Sequence, residues 1–319
     1  MILKLVAMSM LLLLGLNAPL YAEGISHLRE DVRLDHLRIR CTENVWQISR
    51  DNGYPIDGVL RIGSVPTARL WRDLEYKAAE VVVCSISEQP FSGLSCAGVI
   101  HTALSPFFDW AQRVTNPCEN SYEQWVKNDS SLYQKYISFL YEEPCAEPSL
   151  IHILSERIPE KSKVYLGNSL PIREWDQAAT YQEKSFHMAC NRGTNGIDGQ
   201  FSTFLGFCSK EQENWALIGD LTALYDLVAP WIMSQLTDIS ASVVIVNNGG
   251  AGIFSRMYRH PAFYNQHELS FEPLARFWGW NYEKWESVPE EISSCRGGRL
   301  IELIPKADAT ERLFKRVRG

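Results

Sequence analysis

The stretch that decides the fold is Asn214 to Phe254, NWALIGDLTALYDLVAPWIMSQLTDISASVVIVNNGGAGIF. Trp215 to Ile218 is an apolar run that predicts a buried strand, ending in Gly219-Asp220. Leu221, Leu224, Leu227 and Val228 then recur at helical spacing. Pro230 removes a hydrogen bond and is expected to kink or split that helix. Val243 to Val246 predicts a second buried strand, ending in Asn247-Asn248-Gly249-Gly250. In an open α/β sheet both turns lie at the carboxyl edge of the strands, where ligands bind. A helix N-terminus offers free N–H groups to phosphate oxygens. One carboxylate, one amide oxygen and one backbone carbonyl suit an octahedral Mg²⁺ that also carries diphosphate oxygens and water. The pattern therefore predicts a diphosphate held through a divalent metal, with Asp220 and Asn248 as side-chain ligands and the Gly250 carbonyl as third donor.

Working outward, Val164 to Gly167 reads as a strand followed by a polar turn over Asn168 to Arg173. Phe186 to Ala189 reads as a strand before Asn191-Arg192-Gly193-Thr194-Asn195-Gly196-Ile197-Asp198-Gly199, and Phe201 to Phe207 as a helix. Three glycines in that nine-residue loop allow close backbone approach to a ligand. Arg173 and Arg192 each follow a predicted strand end, on the same edge as Asp220 and Asn248. Guanidinium forks bind carboxylates in bidentate fashion, so two of them there suggest a substrate with several carboxylates. Arg299 to Ile304 predicts a late strand, and Asp308 with Glu311 resembles a capping box for the last helix. Four parallel strands with intervening helices make a doubly wound domain.

In the first part, Val59 to Gly63 and Glu80 to Ser85 predict strands flanking a helix from Ala68 to Ala79. Helices are predicted over Phe107 to Arg113 and Tyr122 to Phe139. Prolines at 144 and beyond put a domain boundary near 147, giving domains 1–147 and 148–319. His260 and His267 fall in a loop from Ser255 to Leu269 and receive no role.

At 319 residues the chain is long enough for two cores. With 45% hydrophobic and 22% charged residues it is globular, and a net charge of −7 offers no basic field for nucleic acid. The eight cysteines are scattered, with no CxxC and no zinc spacing. Cys84 reads as a buried thiol, and a Cys118–Cys145 disulfide stays open. Residues 1–22 fit a secretory signal peptide, or a core helix followed by a short strand over Pro19 to Ala22. Gly15 and Asn17 break the apolar run, against a membrane span.

These stretches together resemble one family. NRGTNGIDG, GDLTALYDL and VVIVNNGGAGIF look like the C-terminal cofactor domain of thiamine-diphosphate enzymes. The Gly-Asp-Leu variant and the Asn-Arg-Gly…Gly-Ile-Asp-Gly block point to the 2-succinyl-5-enolpyruvyl-6-hydroxy-3-cyclohexene-1-carboxylate synthases of menaquinone and phylloquinone biosynthesis. The turn Gly167-Asn168-Ser169…Arg173 is similar too, and Leu60 to Arg69 resembles a strand–helix unit of the central domain. The resemblance runs along roughly the whole chain, strongest from 164 to 257 and weakest from 89 to 150.

The resemblance implies two parallel-sheet α/β domains: a partial, transhydrogenase-like central domain and the thiamine-diphosphate-binding domain. It implies Mg²⁺ (or Mn²⁺) on Asp220, Asn248 and Gly250, with the diphosphate against Gly219, Asp220, Leu221 and Thr222. Ile197 would be the apolar wedge that bends the cofactor. Ser169, Arg173 and Arg192 would face substrate carboxylates, with Arg69 added from the central domain. Ile253 and Phe254 would line the pocket. The implied transferase reaction decarboxylates 2-oxoglutarate and adds the succinyl-semialdehyde carbanion to isochorismate. Family members begin with a pyrimidine-binding domain carrying an activating glutamate, and nothing here resembles it. The expectation is a component needing a separate pyrimidine-domain subunit or a homo-oligomer. The alternative is a catalytically silent remnant or binding protein that keeps the fold. The resemblance also reads residues 11–29 as an internal helix-to-strand passage of a cytoplasmic protein; the signal-peptide reading would make it exported.

Overall fold

The computed structural model describes residues 9–10, 12–114, 121–192, 195–250, 252–254, 258 and 260–318. The chain divides into two compact units, Met1–Lys135 and Tyr136–Gly319. Both are α/β with an all-parallel sheet, which bears out the expected fold class.

The first unit holds β1 (Gly58–Ile62), β2 (Val82–Ser87) and β3 (Ile100–His101), in that order across the sheet. Its helices are α1 (Val45–Asp51), α2 (Arg69–Asp73) and α3 (Leu104–Val114). The helix expected over Ala68 to Ala79 is shorter than predicted, ending at Asp73 with a 3-10 turn, Leu74–Tyr76, behind it. Only Trp71 and Leu74 of this segment are buried, while Tyr76 is almost fully exposed. Its last turns therefore have no core to hold them, and packing rather than propensity stabilises short helices. Residues 12–16 are helical. The strand expected over Pro19 to Ala22 is a single bridge, in which the Leu20 N–H donates to the Leu37 carbonyl and Ile39 N–H to the Leu20 carbonyl. No helix among the described residues is long and apolar enough to cross a membrane.

A helix across the division, α4 (Glu123–Glu142), leads into the second unit, where α5 (Glu147–Arg157) precedes the sheet. The strands are β4 (Lys163–Leu166), β5 (His187–Cys190), β6 (Asn214–Gly219), β7 (Ala241–Val246), β8 (Asn281–Trp285) and β9 (Gly298–Leu303). Their order is β5-β4-β6-β7-β9-β8. Six strands stand where five were placed along the sequence and four counted into the sheet. The overlooked edge strand, NYEKW, is polar and pairs only with β9, so it lacks the continuous apolar run of a central parallel strand. By contrast all six residues of β7 are buried. The helices α6 (Leu170–Ala178), α7 (Gln200–Phe207), α8 (Asp220–Tyr225), α9 (Glu272–Phe277) and α10 (Ala307–Arg318) complete the unit.

Three local expectations need correction. Asn168 to Arg173 is not wholly a turn, because α6 starts at Leu170 with Pro171 in its first turn, where a missing N–H costs nothing. The helix after Asp220 ends at Tyr225, short of Leu227 and Val228, and Pro230 opens a separate 3-10 turn, Ala229–Ser234, so the expected split is found. Asp308 and Glu311 form no capping box. They lie inside α10 and pair one turn onward with Arg312 (2.6 Å) and Lys315 (2.8 Å).

At the amino edge of the sheet, Asn214 stitches β6 to its neighbours. Its Nδ2 donates to the carbonyls of Ser209 (2.8 Å), Gln212 (2.9 Å) and Ser240 (2.9 Å), and its Oδ1 accepts from Ser209 N–H (2.9 Å). The residue is fully buried. Asn214→Ala strands those backbone groups without water, so a loss of about 2–3 kcal/mol in unfolding free energy is expected. Urea unfolding checks it; a loss below about 0.5 kcal/mol would mean the stitch is dispensable.

Candidate functional site

The connection after β4 crosses to β5 on one side, and the chain then returns to place β6 on the other side of β4. The carboxyl ends of β4 and β6 thus flank a topological switch point, the crevice where open α/β sheets bind ligands. Gly167-Asn168-Ser169 leaves β4 there, and Asp220 follows the last residue of β6.

Asp220 is buried. Its Oδ1 accepts from Leu221 N–H (2.7 Å) and its Oδ2 from Gly250 N–H (2.9 Å), which ties the β6 turn to the β7 turn. Burial pushes the Asp220 carboxyl above the usual carboxylate range; the N–H groups of Leu221 and Gly250 and the nearby His267 oppose that shift. His267 Nε2 lies 3.3 Å from Asp220 Oδ2, without hydrogen-bond alignment to it. A cation at this carboxylate would relieve the cost of its burial.

Asn248 sits on the β7 turn. Its Nδ2 donates to both carboxylate oxygens of Glu147, at 3.1 and 3.2 Å. Its Oδ1 is buried and has no hydrogen-bond partner among the described residues. Buried polar atoms are rarely left unpaired, and an orphaned amide oxygen beside a buried carboxylate fits an oxygen-seeking cation. The Gly250 carbonyl accepts from Gly252 N–H (2.8 Å), which uses one of its two lone pairs and leaves the other. The residues present therefore fit a divalent metal of the expected kind. No cluster of three His, Cys, Asp or Glu side chains with metal-binding geometry occurs among the described residues, and the expected donor set needs only one carboxylate.

The diphosphate side is less like the expectation. α8, with Leu221 half-buried and Thr222 buried, is only six residues long. So short a helix would add little dipole to the Gly219–Thr222 turn, so an anion held there would depend more on a metal.

A second group of predicted residues gathers at the ends of β4 and β5. The Asn168 side chain donates through Nδ2 to the carbonyls of Asn191 (2.9 Å) and Gly196 (2.8 Å), and its backbone N–H donates to Gln200 Oε1 (2.8 Å). Gln200 Nε2 donates back to the Gly196 carbonyl (2.7 Å). These bonds draw the loop bearing Arg192 and half-buried Ile197 to the switch point. Arg192 Nη1 donates to Asn195 Oδ1 (2.9 Å), while its buried Nε has no hydrogen-bond partner among the described residues. Arg173 points back along α6 and donates from Nη1 to the Ser169 carbonyl (2.6 Å). Gly193 and Thr194 lie outside the described residues. Ile253 and Phe254 follow the β7 turn in a short 3-10 turn, Gly252–Phe254, half-buried and partly exposed.

Arg69 belongs to the first unit, where it is 87% exposed and faces Asp73 at 3.5 Å. The seven described cysteines are free thiols, Cys145 among them; Cys118, the partner considered for it, lies outside the described residues.

Sequence reading missed Glu147, Asn168, Gln200 and the contact of His267 with Asp220. Glu147 stands 101 positions from Asn248, so no local pattern links them. An Asn directly after a Gly at a strand end was the one visible hint for Asn168.

Over 301 residues, 94% of this chain and 56% of the relative, the sequence is 41% identical to a 2-succinyl-5-enolpyruvyl-6-hydroxy-3-cyclohexene-1-carboxylate synthase of Bdellovibrio bacteriovorus. It is 31% identical over 321 residues to the synthase so named in Akkermansia muciniphila, covering 95% of this chain and 57% of that one. The chain spans about half the length of the curated relatives it matches. No protein-family model matches it.

Proposed function

We propose that this chain, a homologue of part of the 2-succinyl-5-enolpyruvyl-6-hydroxy-3-cyclohexene-1-carboxylate synthases, carries the metal-and-diphosphate end of a thiamine-diphosphate site in its second α/β domain, residues 148–319. Asp220 and Asn248, with the Gly250 carbonyl, hold Mg²⁺ or Mn²⁺. Gly219 to Thr222 meet the diphosphate, and Ile197 bears on the cofactor from the loop after β5. When bound, thiamine diphosphate supplies the carbanion chemistry that joins decarboxylated 2-oxoglutarate to isochorismate.

The protein's share is position and charge. Arg192 and Arg173, with Ser169, present cationic and polar donors to substrate carboxylates at the edge where the cofactor ends. Ile253 and Phe254 add to that pocket. The group that activates the cofactor's aminopyrimidine comes from sequence outside these 319 residues, on the same polypeptide or on a partner subunit.

The observation that supports this reading is the buried Asn248 Oδ1, without a hydrogen-bond partner among the described residues, on the turn that Asp220 grips. The test mixes the protein with thiamine diphosphate, Mg²⁺, 2-oxoglutarate and isochorismate, with and without a pyrimidine-binding-domain polypeptide. Turnover only in the presence of that polypeptide is expected. Turnover by the 319 residues alone would show that the site is complete within them. No turnover in any mixture, with cofactor bound, would favour a binding protein.

A further inference from the structure

The asparagine amide is nearly symmetric in shape, and its oxygen and nitrogen exchange places on a half-turn of χ2. A metal can use only the oxygen, so something has to decide which end faces it. We propose that Glu147 is the positioning residue that decides it. This rests on the reading of Asp220, Asn248 and Gly250 as the metal site.

The argument starts from what a carboxylate can do. Ionised, it accepts hydrogen bonds and donates none. Glu147 places both carboxylate oxygens within 3.1 and 3.2 Å of the Asn248 amide nitrogen. The opposite orientation would set the amide oxygen against two anionic oxygens, so the assignment follows from chemistry rather than from the placement of near-identical atoms. With Nδ2 committed to Glu147, Oδ1 is turned away, and there it is buried without a hydrogen-bond partner among the described residues.

Glu147 is itself held firmly. It is buried at the first residue of α5, with Pro148 behind it, and its backbone N–H donates to Thr310 Oγ1 of α10 (2.9 Å). Gly252 also lies beside this amide: a Cβ added there would stand 2.9 Å from Asn248 Nδ2, so only a glycine fits next to it. The carboxylate also polarises the amide it binds, which makes Oδ1 a better donor to a hard cation. Glu147 thus acts on the metal through Asn248, as a partner of a ligand.

The test is Mn²⁺ binding followed by electron paramagnetic resonance, with thiamine diphosphate present, for the wild type and for D220A, E147L and E147Q. Thermal unfolding is recorded for each protein. Outer-shell partners of metal ligands are typically worth about 10- to 100-fold in affinity. E147L, which accepts nothing from Nδ2, is expected to weaken Mn²⁺ by about tenfold or more. E147Q loses the same charge but keeps an acceptor oxygen, and is expected to lose clearly less. Equal losses for the two would assign the whole effect to charge and overturn the orienting role, as would wild-type affinity in E147L.

If E147L does not fold, E147Q is compared with E147Q/N248D. Aspartate presents an oxygen on both sides, so orientation no longer matters and affinity is expected to recover; no recovery overturns the proposal. A wild type that binds no Mn²⁺ would remove the metal site itself. Binding lost in D220A but unchanged in E147L and E147Q would remove only the role of Glu147.

Discussion

Asp220→Ala is expected to abolish Mg²⁺-dependent binding of thiamine diphosphate, with a loss beyond the roughly 100-fold that marks the upper range for partners of metal ligands. Two consequences need separating. The substitution removes a metal ligand, and it also strands the Leu221 and Gly250 N–H groups that the carboxylate accepts. Each stranded group costs about 1–3 kcal/mol if it stays buried, so some loss of stability is expected alongside the loss of binding. Asp220→Asn distinguishes the two. The amide keeps the shape and one acceptor oxygen while giving up the charge, and burial already disfavours that charge in the metal-free fold. Asp220→Asn strands one of those N–H groups instead of two, so it is expected to lose less stability than Asp220→Ala and still fail to bind. Calorimetric titration of cofactor with and without Mg²⁺ reads binding, and differential scanning calorimetry reads the fold. Wild-type affinity in Asp220→Ala would remove the residue from the site.

The second large effect is expected at Gly250. Its φ is +137°, in a region that side chains rarely adopt. A Cβ there would stand 2.5 Å from the Tyr264 carbonyl oxygen and 2.9 Å from that of Asn265. Both neighbours are backbone, so neither can swing aside as a side chain would. Gly250→Ala has to displace either the turn or the segment from Tyr264 to His267 that rests on it. Strain of this kind costs on the order of 1–3 kcal/mol. The displaced atoms include the Gly250 carbonyl, so metal-dependent cofactor binding should fall together with stability. Gly249 gives the comparison. It too has a positive φ, +79°, but an added Cβ meets its nearest neighbour, the His267 carbonyl oxygen, at 3.4 Å, an ordinary contact. Gly249→Ala is expected to cost about 1–2 kcal/mol, the left-handed penalty alone. Equal effects of the two alanines on melting temperature and affinity would show that the close approach at Gly250 is unimportant.

What the sequence made legible follows from where each signal lives. The strands β6 and β7 are buried on both faces, so their composition alone announced them, and the polar residues at their ends marked the ligand edge. Asp220, Asn248 and Gly250 were visible because they sit at those ends. The edge strand β8 was not visible, since pairing on one side lets polar residues into it. α5 was hidden by Pro148, which argues for a break in the interior of a helix and is harmless in its first turn. Arg173 was misplaced for a related reason, because Pro171 looks like part of a turn and is the start of α6.

Glu147, Gln200 and His267 show a different limit. Each owes its place in the site to a contact that the fold creates. Glu147 meets Asn248 across 101 positions, and Gln200 reaches Asn168 across 32. His267 approaches Asp220 because its segment folds back on the turn, where its N–H donates to the Gly249 carbonyl (3.1 Å). Local pattern marks the polar residues at the end of a strand. The partners that hold those residues in place become visible only once distant parts of the chain are brought together.

Anchoring of thiamine diphosphate through a divalent metal at the β6 and β7 turns is checked by titrating the wild-type protein with thiamine diphosphate in the presence of Mg²⁺ and again after chelation. The predicted result is one cofactor bound per chain with Mg²⁺ present and little binding without it. Equal binding under the two conditions, or none in either, would rule out that anchor.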